Sequence, residues 1–190
     1  MLVKPTYITH PVGLGIDPGT TTLGISVMAF DPILRKFNVL IAYTLDAKSV
    51  KEYGTIHDIH GDRQVRLYWL GNKIDSLLQE WGITEVYCEA PYLGRFPGAF
   101  ASLTECVNMI RSSVLSHNSA MPFTLIDPST VKTAIGVRGK DPEKNNMRIA
   151  INSVADITVP SPGYFDGLDE HAIDATSVVY SGMRSRYMLI

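Results

Sequence analysis

Cysteine is nearly missing from this chain. Cys88 and Cys106 are the only two in 190 residues. They form neither a CxxC pair nor a set with histidine at metal-ligand spacing, which excludes a zinc site and a disulfide framework and leaves two buried free thiols as the expectation. Positive charge is not in excess either: 17 Lys and Arg stand against 19 Asp and Glu, for a formal net charge of -2. A globally basic nucleic-acid binder is thereby excluded, although a local basic patch is not. The chain has no run of about 18 apolar residues to span a membrane. Its start, MLVKPTYITHPV, lacks the charged head, apolar centre and small-residue cleavage site of a secretory leader. A soluble, cytoplasmic protein is expected. Repeats, low-complexity tracts and linker-like stretches are also lacking, so residues 1–190 read as a single domain, and a hydrophobic content of 45% suffices for one well-filled core.

What is present is a sequence of alternating periodicities. Residues 12–17, 24–30 and 37–45 are short β-type runs separated by turn chemistry at Pro18-Gly19 and Asp31-Pro32, which predicts an antiparallel meander. From 60 to 81, Leu67, Leu70, Ile74, Leu77, Leu78 and Trp81 recur at helical spacing, with Gly82 as a stop. A strand at 84–89 ("TEVYCE") and a helix at 99–115 follow, then a strand at 123–127 and helical stretches at 128–135, 142–155 and 169–183. The order βββαβαβααα predicts an α/β fold with a five-stranded mixed sheet: three antiparallel strands, then parallel strands whose crossovers are helical.

Acids at strand ends are where such a sheet places chemistry. In "GLGIDPGTTTLGISV" (13–27), alternation puts Leu14 and Ile16 on one face and Gly13, Gly15 and Asp17 on the other. The glycines then leave room on the acid's own face for a metal ion and a phosphate. Glu89 ends its strand with Glu85 and Tyr87 on its side. A third acid, Asp174, lies among small residues in "DEHAIDATS". At about 100° per residue, His171 and Glu170 share its helical face, at about 60° and 40°, while Asp169 is rotated away and suits the N-cap. Three carboxylates from separate elements repel one another unless cations neutralise them. Hard divalent ions take such oxygen ligands, so Asp17, Glu89 and Asp174 can hold one or two Mg²⁺ and support phosphodiester hydrolysis. Alone, Asp17 before Pro18-Gly19 reads equally as a turn residue. The Asp-x-Gly-Thr-Thr pattern also occurs in the phosphate loop of actin-like ATPases, but a chain of this length lacks the second half-domain and the second glycine-rich motif they require.

Four blocks, "GLGIDPGTTTLGISV", "VYCEAPYLGRFPGAFASL", "IDPSTVKTAIGVRGKDPEKNNM" and "DEHAIDA", resemble in order and spacing those of RuvC-type Holliday junction resolvases, over residues 13–182. The resemblance implies an RNase H-like fold, a homodimer, and Mg²⁺-dependent paired nicking of four-way DNA junctions, with two Mg²⁺ per active site that Mn²⁺ can replace. By position, Asp17, Glu89 and Asp174 match the family's acids. Where its last motif reads DxxD this chain reads HxxD, so His171 stands in a carboxylate's place, and either His171 or Glu170 supplies the fourth metal ligand. The loop after Glu89 offers Tyr92, Arg95 and Phe96 to DNA, with Phe96 preferred over Tyr92 for stacking on unpaired bases at the branch point. Lys132, Arg138, Lys140, Lys144 and Arg148 give residues 132–148 a local positive excess suited to phosphates. The apolar stripe of the 99–115 helix, Phe100, Leu103, Val107, Ile110 and Val114, is the candidate dimer face, with core packing as its alternative. A broader branched-DNA nuclease and a non-catalytic junction-binding module are the other readings.

Overall fold

In the computed structural model, which describes residues 10–50, 54–93, 96–137 and 145–188, the meander is formed by β1 (Val12–Asp17), β2 (Thr22–Asp31) and β3 (Lys36–Asp46). β1 also pairs in parallel with β4 (Glu85–Glu89), and β4 in parallel with β5 (Phe123–Ile126). The order across the sheet is β5-β4-β1-β2-β3-β6, so the strands bearing Asp17 and Glu89 are central neighbours. Among the described residues the expected five strands become six, because Ile157–Thr158 (β6) adds in parallel to β3. Two residues are too few to show a period of two, so this strand has no signature in the sequence.

Helices α1 (Gly54–Glu80) and α2 (Pro97–His117) cover one face of the sheet, while α3 (Pro128–Ala134), α4 (Asn145–Asn152) and α5 (Glu170–Tyr187) lie on the other side. α1 starts six residues before the expected residue 60, and no residue of it is buried before Val65, so the apolar stripe does not mark its start. Gly61, at φ 78 and ψ 167, breaks the helix ahead of the stripe. The first core joins Leu14, Ile16, Val86 and Cys88 of the sheet to Leu70 and Ile74 of α1 and Cys106 and Ile110 of α2. Val107 and Val114 belong to the same core, and Cys88 and Cys106 are both free and buried. The stripe considered for dimerisation is thus largely spent on packing within the chain.

α5 is held on the opposite face at unusually short range, and the glycines explain it. A β-carbon at Gly15 would overlap the Ala175 carbonyl, one at Gly24 the His171 carbonyl, and one at Gly182 the Tyr87 ring. Gly13 meets Val179 and Met183 in the same way. The room beside Asp17 is therefore filled by α5, which corrects the expectation that Gly13 and Gly15 leave space for metal and phosphate. Small residues on both surfaces let backbone approach backbone, and this brings the first turns of α5 down to the strand ends. None of the helices among the described residues is long and apolar enough to cross a membrane.

Candidate active site

Asp17 is the last residue of β1 and Glu89 the last of β4. Gly15 pairs with Tyr87 and Ile16 with Cys88, so continuing the register by one residue sets Asp17 beside Glu89. Parallel partners point to the same face, here the α5 face, across a strand spacing of about 4.8 Å. α5 is capped by Asp169, whose carboxylate accepts from the Ala172 amide at 2.9 Å and from the Thr44 hydroxyl at 2.5 Å. Asp169 is a cap, as its position implied, and it fixes the azimuth at which the next residues meet the sheet. His171 and Asp174 arrive one helical turn apart over the strand ends.

His171 touches two of the residues it meets. Its Nδ1 lies 2.7 Å from Asp17 Oδ2 and its Nε2 lies 3.1 Å from the Thr22 hydroxyl. The hydrogen bond to Asp17 raises the imidazole above its ordinary range, outweighing partial burial. Thr22 was not singled out from sequence; the run Thr20-Thr21-Thr22 carried no sign of which hydroxyl would face the site.

Glu89 and Asp174 have the electrostatics of an uncompensated acid cluster. Burial, then repulsion from Asp17 and Asp174, pushes Glu89 up to about 7. Burial, then repulsion from Asp17, pushes Asp174 up to about 7 as well, with His171 opposing and Glu170 adding to the rise. Lys132 on α3 pulls both acids back down, which places its charge near the cluster although its side chain is exposed. Paired upward shifts of this kind in neighbouring carboxylates mark the cluster as a functional-site candidate.

The Asp17 carboxylate belongs to a turn held from several sides. Arg66 of α1 donates to the Thr20 carbonyl at 3.0 Å, the Cys106 thiol lies 3.5 Å from the Gly19 carbonyl, and the Ala47 amide donates to the Thr21 carbonyl at 2.8 Å. Arg66 and Cys106 escaped the sequence reading because each supports a backbone atom, for which no motif exists.

Whether these residues suit a metal can be judged from the donors. The set is oxygen-rich and its assembled negative charge is unfavourable, which is the condition a hard divalent cation relieves. Among the described residues, however, no group of three or more His, Cys, Asp and Glu side chains is already set to hold an ion. Asp17 Oδ2 faces the imidazole instead of the other carboxylates. The donor chemistry fits, and the side chains need to turn toward one another to use it.

The proposed DNA-contacting residues divide. Tyr92 and Phe96 are 74% and 75% exposed on the loop that follows Glu89, with Phe96 at the N-cap of α2. Lys132 is exposed beside the acids. Arg95, Arg138, Lys140 and Lys144 lie outside the described residues. Arg148, counted from sequence in the basic run, instead donates to the Leu168 carbonyl at 2.6 Å and braces the loop before α5.

No protein-family model matches the chain, and no curated protein matches it in sequence. Solved structures do match. Thermus thermophilus RuvC, in complex with a Holliday junction substrate, superposes with a TM-score of 0.65 at 17% identity, over 93% of this chain and 96% of that one. The yeast mitochondrial Holliday junction resolvase Ydc2 gives 0.64 at 14% identity over 95% and 80%. The fowlpox virus resolvase, solved with junction DNA, gives 0.57 at 12% identity over 94% and 99%. The mixed α/β sheet read from the strand order, and the RNase H-like fold that the resemblance implied, are thus the fold of this chain.

Proposed function

We propose that this protein is a structure-selective endodeoxyribonuclease that resolves four-way DNA junctions with divalent metal ions. The observation that carries the reading is the meeting of Asp17, Glu89 and Asp174 at one end of this sheet, with two of them raised to about 7 by burial and mutual repulsion. Solved proteins with the same fold are junction resolvases, and two of the structures compared above hold junction DNA. Asp17, Glu89 and Asp174 would hold Mg²⁺ or Mn²⁺, with His171 or Glu170 as a further ligand, and the metal when bound supplies an acidified water and charge stabilisation at the scissile phosphate. Lys132 neutralises backbone charge entering the cluster. His171 keeps Asp17 oriented through Nδ1 while Thr22 fixes the other edge of the ring. Tyr92 and Phe96 present flat apolar surface next to the acids, suited to bases that are unstacked at a branch point. Two copies acting together would give paired nicks, since a four-way junction has related cleavage positions that call for two sites at a fixed separation.

A second reading has its own support: the contact between His171 and Asp17 takes up one carboxylate oxygen, as it would in a junction-binding protein without catalysis. A synthetic four-way junction incubated with the full-length protein and Mg²⁺ separates the two. Symmetric nicks that vanish in Asp17→Asn support the nuclease, and extension of the same assay to forks and flaps sets the breadth of substrate. Tight binding with no nicks in either Mg²⁺ or Mn²⁺ would leave the binding module.

A further inference from the structure

α5 carries more toward α3 than Asp174. Ser181 and Ser185 follow it at seven and eleven residues, which at about 100° per residue keeps both within about 20° of the line through Asp174. At about 1.5 Å per residue they lie about 10 and 16 Å from it along the helix. A groove runs beside this line, between α5 on one side and α3 and β5 on the other. Its two adjoining parts, of about 420 and 340 Å³, share Thr130, Ser181 and Ser185. The wall from α3 adds Ser129 and Thr133, and Arg184 stands exposed at the rim. Arg186 also borders the groove, but it is engaged by the buried Glu85 at 3.3 Å. Asp127 is the acid on the wall, at the β5 end.

Resting on the nuclease reading above, we propose that this groove is a track for the sugar–phosphate backbone of the strand that passes the acid cluster, with Arg184 and the Ser and Thr hydroxyls as its phosphate contacts. The chemistry is that of non-sequence-specific backbone binding: the hydroxyls of Ser129, Thr130, Thr133, Ser181 and Ser185 with the Arg184 guanidinium line the middle and far part of the groove, while Tyr87, Leu125 and Ile126 form its wall on the β4 and β5 side. Lys132 lies on the same short helix as the groove's Ser129, Thr130 and Thr133, and its charge acts on Glu89 and Asp174, while Arg184 borders the groove farther along α5, so positive charge stands near both ends of the line from the acids along this helix. With strand phosphates advancing about 3.4 Å along a duplex axis, a span of about 10 to 16 Å reaches the third to fifth phosphate from the cluster. Ser and Thr at these positions then serve register: they fix how far along the arm the scissile phosphate sits.

The test is binding of a synthetic four-way junction to the full-length protein in EDTA across a salt titration, with single methylphosphonates scanned along each arm from the branch point. Arg184→Gln is expected to weaken binding about threefold to tenfold and to reduce the slope of log affinity against log salt by about one, whereas Arg184→Lys keeps the slope. One neutral linkage, three to five phosphates from the acids, reproduces that loss in the unsubstituted protein and adds nothing in Arg184→Gln. An unchanged slope, or losses that add at every position, overturns the proposal. Normal nicking in Mg²⁺ with no such coupling removes the groove and leaves the nuclease reading intact. Coupling without any nicking does the reverse, and no junction binding at any salt removes both.

Discussion

Strand β4 carries a glutamate at each end, both on the face that α5 covers, and the two are treated in opposite ways. Glu85, 2% exposed, is met by Arg186 from the last turn of α5 at 3.3 Å. Glu89, four residues on, is met by Asp17 and Asp174, and only the more distant charge of Lys132 opposes them. A buried acid that serves the fold is given an arginine. The other is given more acids, an arrangement that raises its pKa and that folding alone would not favour. The same helix performs both tasks, closing the fold with Arg186 at one end and loading the site with Asp174 near the other.

The comparison breaks most visibly in activity. Asp17→Asn or Glu89→Gln should lower junction cleavage at least about a thousandfold while leaving the folded state intact, because each removes a proposed metal ligand and also a repulsion. Glu85→Gln should leave cleavage within a few-fold. The reverse holds for stability: Arg186→Met removes the cation that meets a buried carboxylate and should lower unfolding free energy by about 1–3 kcal/mol, measured by urea denaturation, with Glu89→Gln neutral or stabilising. A third, smaller effect is in pH. Glu89 and Asp174 hold protons in the folded protein up to about 7 that the unfolded chain releases near its ordinary carboxylate values, so the folded state binds more protons across that interval. Metal-free stability therefore falls as pH rises from about 4.5 to 7, and His171, raised by Asp17, contributes in the same direction. Thermal melts of wild type against Asp174→Asn should show part of that slope disappear, and Mg²⁺ should restore stability at the upper end. The smallest effect is expected at the departure from the DxxD pattern: His171→Asp should tighten Mg²⁺ dependence of cleavage by about tenfold, read as the metal concentration at half-maximal rate. A weaker dependence would make the imidazole itself the better partner.

Much of this was legible in the sequence, for reasons that are themselves physical. The meander, the parallel crossovers and the core stripes of α1 and α2 are periodic over enough residues to be read, and Asp17, Glu89, His171 and Asp174 sit where alternation and helical phase put them. Asp169 was readable as a cap because capping is local. What stayed hidden is non-local or short. The pairing of Ile157–Thr158 with β3 has no pattern of its own. Gly13 and Gly15 announced a close approach but not its author, which proved to be α5. Arg148 looked like one more surface cation until its donation to the Leu168 carbonyl was seen, and the bond between Arg66 and the Thr20 carbonyl joins residues 46 apart in the chain.

Gly15→Ala offers a control on the same geometry, since it overfills the contact with α5 without changing any charge, and should destabilise by about 1–3 kcal/mol or more. The claim that Asp17, Glu89 and Asp174 form a divalent-metal site is tested most directly by anomalous scattering from Mn²⁺ in crystals of the protein with a four-way junction. The expected result is anomalous density against the carboxylates of Asp17, Glu89 and Asp174, lost in Asp17→Asn. Density elsewhere, or none at these three side chains in a protein that still cuts the junction, would contradict it.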